Sequence, residues 1–353
     1  MLRWLWLFAV LSVAPDDSPQ TMYEATYASQ DWLAHIKPEM KGPGNMAWGD
    51  SYTLMSYVAM YEGTGDTVHL DRLVKHFDLA LSVRDAKTGK RDEYRNKVMP
   101  SWGTGGYSQG KWTAWLVHTG MLTYPAASFV RHVSENAKLQ PKYKAKADEY
   151  LAVLEEIVAA YDDEWKDGPA EGEGYYESKP IVGKPLPLNQ QNALGRTLVQ
   201  LAAVTKKPQY RDKATKLARY FKNRLRLMDN GAYAWEYWGA KEGKGEDISH
   251  AAINADFAAL CYRNNIVFTR DDMTKLAATF TKNIIKPDGT FAATVAGSGT
   301  VGELRGQLGR WLNLCEFDRR IYDAVLKDLR ENPSHRTLKG LGNLVKWEKK
   351  VAQ

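Results

Sequence analysis

What most constrains the fold of this chain is the alternating length of the segments that join its helices. Helical periodicity dominates and strand-like alternation is nearly absent. Capping residues, glycines and prolines mark helix starts and stops. They predict five pairs: 49–62 with 66–83, 110–135 with 141–163, 188–203 with 208–226, 248–263 with 270–284, and 301–315 with 318–331. One helix precedes the pairs near 20–37 and another follows near 335–349. Within pairs the connections are short, as in EGTGD (62–66), TKKPQ (205–209) and NNIVFT (264–269). Between pairs, at 84–109, 164–187, 227–247 and 285–300, they are long and rich in glycine and aromatics. Long loops inside compact chains are uncommon and often functional. The pattern predicts an all-α fold, an (α/α) toroid of about six to seven helical hairpins, each burying one face against its neighbours. An open solenoid would give the same alternation, but these repeats are unequal and run roughly 53 to 78 residues, against ~34–47 in common solenoid units.

In such a ring the first helix of every pair starts at the same end. Those starts read MAWGDSY (46–52), GYSQGKW (106–112), LNQQNALGR (188–196), EDISHAAIN (246–254) and VGELRGQLGRW (301–311). One polar start is an ordinary cap, whereas five converging polar-aromatic starts describe a pocket rim. Trp48, Asp50 and Tyr52 belong to the first, Tyr107 and Trp112 to the second, with Trp102 just before it. GGYSQGKW nearly matches a phosphate loop, but Trp112 occupies the hydroxyl position that such a loop needs for its metal ion. The glycines around it instead let the aromatics approach a sugar.

Asn189, Gln190, Gln191 and Asn192 are four consecutive amides, suited to binding hydroxyls or a carboxylate. Asn189 reads as a cap, while Asn192 lies inside the helix, where asparagine is disfavoured without another reason. In GEDISHAAINAD (245–256), Asp247 is the expected N-cap. His250 and Asn254 share one helix face, behind a loop carrying Trp235, Glu236, Tyr237 and Trp238. His250 is one of seven histidines, the residue type suited to proton transfer near neutrality. Glu246 is expected to bind sugar hydroxyls or hold a neighbouring arginine. Arg305 and Arg310 point about 140° apart on an ideal helix, so one of them faces the mouth, and Arg305 is nearer its start.

The chain has 353 residues, enough for one large domain, taken as 15–353. Residues 1–14 read as an export signal: Arg3, an apolar run from Trp4 to Val13, then the small-residue pattern Ser12-Val13-Ala14. Secretion or a periplasmic location follows. That run is shorter than the ~20 residues of a membrane span, and no later segment is apolar enough for one. A net charge of +6 beside 12 Trp and 19 Tyr suits an anionic ligand with flat apolar faces. The basic residues are scattered and form no nucleic-acid stripe. The expected partner is therefore an acidic polysaccharide or oligosaccharide, bound by a monomer. Neither metal nor cofactor is expected: H-E-x-x-H is absent, and Glu246 with Asp247 could at most assist calcium. The two cysteines, Cys261 and Cys315, are expected on neighbouring helices at one level. Packed helix axes lie ~8–10 Å apart and a disulfide needs Cα atoms within ~7 Å, which leaves pairing open.

WGDSYTLMSYVAMYEGTGD, LPLNQQNALGRTLVQLAAVT and EYWG…EDISHAAINADFAAL resemble the (α/α)-barrel carbohydrate-active enzymes, and most of all polysaccharide lyase family 38, the glucuronan and alginate lyases. The resemblance spans roughly residues 45–330. It implies a catalytic group of histidine, asparagine, arginine and tyrosine: His250 and Asn192 match by motif context, Arg305 by order along the chain. No tyrosine follows Arg305 in its helix, where Trp311 stands instead. Tyr237, Tyr233, Tyr107 and Tyr52 are the substitutes, Tyr237 first. The implied activity is metal-independent β-elimination on a uronic-acid polymer. A glycoside hydrolase of uronyl saccharides and a uronyl C5-epimerase are the alternatives, and a non-catalytic carbohydrate-binding protein is a third class.

Overall fold

In the sequence, apolar residues crowd every side of some helices and one stripe of others, and this difference sorts the helices into two layers. The structure, a computed structural model, describes residues 18–351. The expected export signal lies outside them. In chain order the helices are α1 (Pro19–Ala28), α2 (Asp50–Thr64), α3 (Val68–Ser82), the single turn α4 (Asp85–Thr88), α5 (Leu116–Glu135) and α6 (Gln140–Ala159). Then follow α7 (Leu188–Thr205), α8 (Pro208–Lys222), α9 (Ile248–Arg263), α10 (Arg270–Ala278), α11 (Arg320–Glu331) and α12 (Leu338–Val351). Between α10 and α11 runs a long 3-10 helix, Gly302–Leu314.

α7 is buried on nearly all sides. Its partner α8 keeps one apolar face of Tyr210, Ala214, Leu217 and Phe221 and turns its lysines and arginines outward. The inner layer packs in the cyclic order α2, α5, α7, α9, the 3-10 helix, α12 and back to α2. Each inner helix is backed by an outer one, and α1 backs α12. The two helices left over at the chain ends in the sequence pattern are thus the sixth pair, assembled from both termini. The ring closes, and an open superhelix is ruled out.

Closure demands short distances between inner helices. A Cβ on Gly120 of α5 would lie 2.2 Å from the backbone nitrogen of Leu194 in α7. One on Gly309 would lie 2.4 Å from Cα of Gly340 in α12. Only glycine admits such contacts.

Three features differ from the sequence reading. α5 starts at Leu116, leaving GYSQGKW in a loop where Tyr107 and Gln109 take positive φ. The expected α-helix over 301–315 is a continuous 3-10 helix over Gly302–Leu314, and it contains Gly306 and Gly309, which weaken α-helix formation. The inter-pair loops also carry three antiparallel two-stranded ribbons: β1 (Arg91–Asp92) with β2 (Lys97–Val98), β3 (Trp165–Asp167) with β4 (Gly174–Tyr176), and β5 (Arg226–Leu227) with β6 (Tyr233–Ala234). Strands of two or three residues are too short to show alternation. Cys261 on α9 and Cys315 at the C-terminal cap of the 3-10 helix packed against it are buried free thiols. Among the described residues no helix is long and apolar enough to cross a membrane.

Candidate active site

A cavity of about 470 Å³ opens where the inner helices begin. Its walls are aromatic: Trp48 before α2, Tyr107 and Trp115 before α5, and Tyr237 and Trp238 from the loop before α9. Its polar groups are His118 of α5, Asn189 and Gln190 of α7, and His250 of α9. Four inner helices therefore deliver side chains from around their first turns to one space.

The turn Asp247–His250 does two things at once. Asp247 caps α9, its Oδ1 accepting from the backbone N–H of Ser249 (3.0 Å) and His250 (3.1 Å). Its Oδ2 lies 2.5 Å from Nδ1 of His250. Burial opposes ionisation of Asp247, but the hydrogen bonds from the His250 ring and the two backbone N–H groups prevail and hold its carboxyl below the ordinary range. An ionised carboxylate at Nδ1 fixes the tautomer, with the proton on Nδ1 and the lone pair on Nε2. Nε2 has no partner among the described residues. The ring stands edge-on to Trp48 (centroids 6.4 Å apart) and close to Tyr237 (5.4 Å).

The Tyr237 hydroxyl accepts from Gln190 Nε2 at 3.1 Å. Burial raises its pKa above the usual tyrosine value despite that bond, so the phenol keeps its proton at neutral pH. Asn189 is buried, yet neither atom of its carboxamide has a partner, and Gln190 Oε1 is also unpartnered. Buried polar groups left without partners each cost about 1–3 kcal/mol. His118 is buried to 1% exposure and stands edge-on to Trp48 and Tyr107. Burial alone pushes its pKa down to about 3, leaving a neutral ring.

Several expected site residues lie elsewhere. Asn192 donates to Asn254 Oδ1 (2.7 Å), and Asn254 donates to Glu246 Oε2 (2.7 Å), which also accepts from Trp235 Nε1 (2.5 Å). This buried chain lies outside the cavity lining and joins α7, α9 and the preceding loop. Glu246, expected to meet sugar or an arginine, is instead buried outside the cavity lining with Trp235 and Asn254 as its partners. Its carboxyl is shifted well above the ordinary range by burial, with Asp247 and Glu236 adding to the shift.

Arg305 does not face the mouth. It pairs with Asp328 of α11 at 2.7 Å and lies over Phe291. Asp328 is almost fully buried and needs a cation, which decides where Arg305 points. Arg310 is the inward arginine: it covers the Tyr52 ring at 3.5 Å and donates to Tyr52 Oη (2.6 Å) and Ser249 Oγ (2.9 Å). Arg310 and Tyr52 thus brace the first turn of α9 without lining the cavity.

Asp50 sits between His76 (2.8 Å) and His35 (3.0 Å). Gln191 holds the preceding loop through Tyr176 N and Leu186 O. Glu236 accepts from Gly245 N. Trp102 is a core residue bonded to Ala80 O, and Trp112 bonds Asp85 under Lys90. Of the expected residues, His250, Tyr237, Trp48, Tyr107 and Trp238 line the cavity. Asn189 and Gln190, from the run of four amides, line it as well, as do His118 and Trp115, which nothing in the sequence singles out as site residues. Asn189, expected as a cap, makes no capping bond with its side chain. Late entry into α5 hides His118 and Trp115 from a sequence reading, since a helix start at 110 would place them well inside the helix.

Neither a protein-family model nor a curated protein matches the sequence. Solved structures do match. An inactive variant of the α-1,6-mannanase of Salegentibacter sp. HEL1_6, in complex with alpha-1,6-mannotetrose, superposes with a TM-score of 0.58 at 13% identity, covering 95% of this chain and 97% of that one. The cellobiose 2-epimerase of Spirochaeta thermophila DSM 6192 gives 0.51 at 13% identity, covering 88% and 87%. A D-mannose isomerase gives 0.53 at 12% identity, covering 94% and 87%. None of the three is a polysaccharide lyase. At these identities the likeness is one of fold, and the fold is the (α/α) barrel.

Proposed function

We propose that this chain is a carbohydrate-active enzyme, a secreted or periplasmic lyase that cleaves a uronic-acid polysaccharide by β-elimination without a metal. The observation that carries the reading is the Asp247–His250 pair: the histidine, with Nδ1 held by the carboxylate and no partner at Nε2, lines an aromatic cavity together with Tyr237, whose phenol keeps its proton. His250 Nε2 removes the C5 proton, and the C–H electron pair moves toward the adjacent carboxylate as an enediolate. The unpartnered Nδ2–H2 of Asn189, at the cavity wall, turns to donate to that carboxylate, while Gln190 keeps its bond to the Tyr237 hydroxyl. The electron pair then returns to form the C4–C5 double bond while the C4–O bond breaks. Tyr237 passes its proton to the departing oxygen. His250 ends protonated and Tyr237 ionised, and exchange with water restores both. Aromatic rings suit the flat faces of sugars. Lys184, 4.3 Å over Trp238, adds positive charge at the rim.

Hydrolysis requires two carboxylates flanking the glycosidic bond, and among the described residues no such pair lines this cavity. The mannanase is inactive in a variant with two consecutive aspartates replaced. In this chain the described consecutive aspartates, Asp162–Asp163 and Asp271–Asp272, pair with lysines away from the cavity. The test is incubation with glucuronan, alginate and unsaturated uronyl oligosaccharides, following near-ultraviolet absorbance and reducing ends. Elimination creates new absorbance together with new ends. New ends without absorbance, loss of existing absorbance, or deuterium uptake at C5 without cleavage would each replace the lyase by a hydrolase, an unsaturated-uronyl hydrolase or an epimerase. Binding with no chemical change would make the chain a carbohydrate-binding protein.

A further inference from the structure

His118 and His250 border the same cavity, and both stand edge-on to Trp48, but their ring nitrogens are set up in opposite ways. In His250 the carboxylate of Asp247 claims Nδ1 and leaves Nε2 as a lone pair. In His118 nothing claims Nδ1. That nitrogen is sealed from solvent and has no hydrogen-bond partner. It faces the backbone at Gly44 so closely that a Cβ there would lie 3.0 Å from it. A proton on Nδ1 would be a buried donor with no acceptor, which is costly. The proton therefore belongs on Nε2, the nitrogen that is not sealed. Burial without any nearby carboxylate also disfavours the doubly protonated ring. The cavity is thus lined by one imidazole that accepts and one that donates.

We propose that His118 is a further catalytic residue, whose neutral Nε2–H donates a hydrogen bond to the enediolate oxygen that develops when His250 takes the C5 proton. The proposal rests on the lyase reading for the identity of that oxygen. A neutral donor stabilises developing negative charge without surrendering a proton, and one held in place by its packing needs little reorganisation. With its lone pair sealed at Nδ1, His118 cannot serve as a second base.

Two experiments test the role. Nitrogen-15 spectra of the histidine rings in the free protein at neutral pH are expected to show His118 as the neutral Nε2–H tautomer and His250 as the Nδ1–H tautomer. An imidazolium or an Nδ1–H tautomer at His118 would overturn the proposal, whatever the substrate proves to be. In the second experiment His118→Ala is expected to lower kcat on the cleaved polymer by about 10²–10³-fold, the cost of removing one oxyanion donor, with little change in KM. His118→Gln, which keeps an N–H near the Nε2 position, should recover part of that loss. Unchanged kcat in a folded His118→Ala protein overturns the role. If the wild type releases no unsaturated product from any uronate polymer, the lyase reading fails separately, and the tautomer spectra still decide whether His118 is a donor.

Discussion

His250 shows how one residue's position can be read from sequence while more distant partnerships cannot. The spacing Asp-x-x-His at a helix start is local, so the cap and the pairing at Nδ1 follow from the first turn of α9. Asn192 and Arg305 depend on contacts made across the molecule, with Asn254 and Asp328, and no local pattern signals either. Asp247→Asn should retain the cap and its stability but lose the charge that sets the His250 tautomer, so turnover falls while the unfolding midpoint barely moves. Asp247→Ala should in addition cost about 1 kcal/mol as a lost cap, measurable by urea denaturation. Glu246 affects the pH dependence of stability. Its folded pKa is raised, so its neutral form stabilises the fold fully below the ordinary value of 4.5. That contribution is lost as pH rises toward the folded pKa. Glu246→Gln removes this contribution, so the unfolding free energy of the variant should gain on that of the wild type as the pH is raised above 4.5. An equal slope in both proteins would show that Glu246 is ionised when folded.

Most helices are legible in the sequence because each carries ten or more residues of periodic burial, whereas the ribbons are not, because each strand has two or three. The most consequential difference between pattern and structure is the start of α5. The pattern puts Trp112 at a helix mouth, whereas the loop through Tyr107 and Gln109 with positive φ carries the chain on to Leu116 before the helix forms. That shift brings Trp115 and His118 to the cavity in place of Trp112. The same α5 limits what its ring neighbours tolerate. Gly120→Ala would force a methyl group to 2.2 Å from the backbone of Leu194, which cannot rotate away. It should destabilise by about 1–3 kcal/mol, as overpacking does, with the loss read from chemical denaturation. A neutral result would mean that α5 and α7 separate easily.

Across the whole molecule the alternation of short and long connections is enough to predict a ring. How the ring closes is not visible in it, because α1 and α12 stand at opposite ends of the sequence and meet only in space. Nor is the buried polar cluster that ties inner helices together. There Arg196 of α7 pairs with Asp256 of α9 at 2.9 Å, both buried, and Asn313 bonds the same carboxylate. Lys339 adds positive charge to this cluster, its pKa lowered to about 8 by burial. Removing one partner of a buried pair leaves a lone charge, so Arg196→Ala should cost about 3–5 kcal/mol and lower the thermal midpoint. Scaffold and chemistry meet at His250, the proposed base of the elimination. Its role is decided by the rate at which unsaturated uronate accumulates with His250→Ala relative to wild type, both verified as folded by circular dichroism. A fall of at least ~100-fold is expected for a lost general base, whereas an undiminished rate in the folded variant would mean that another group takes the proton.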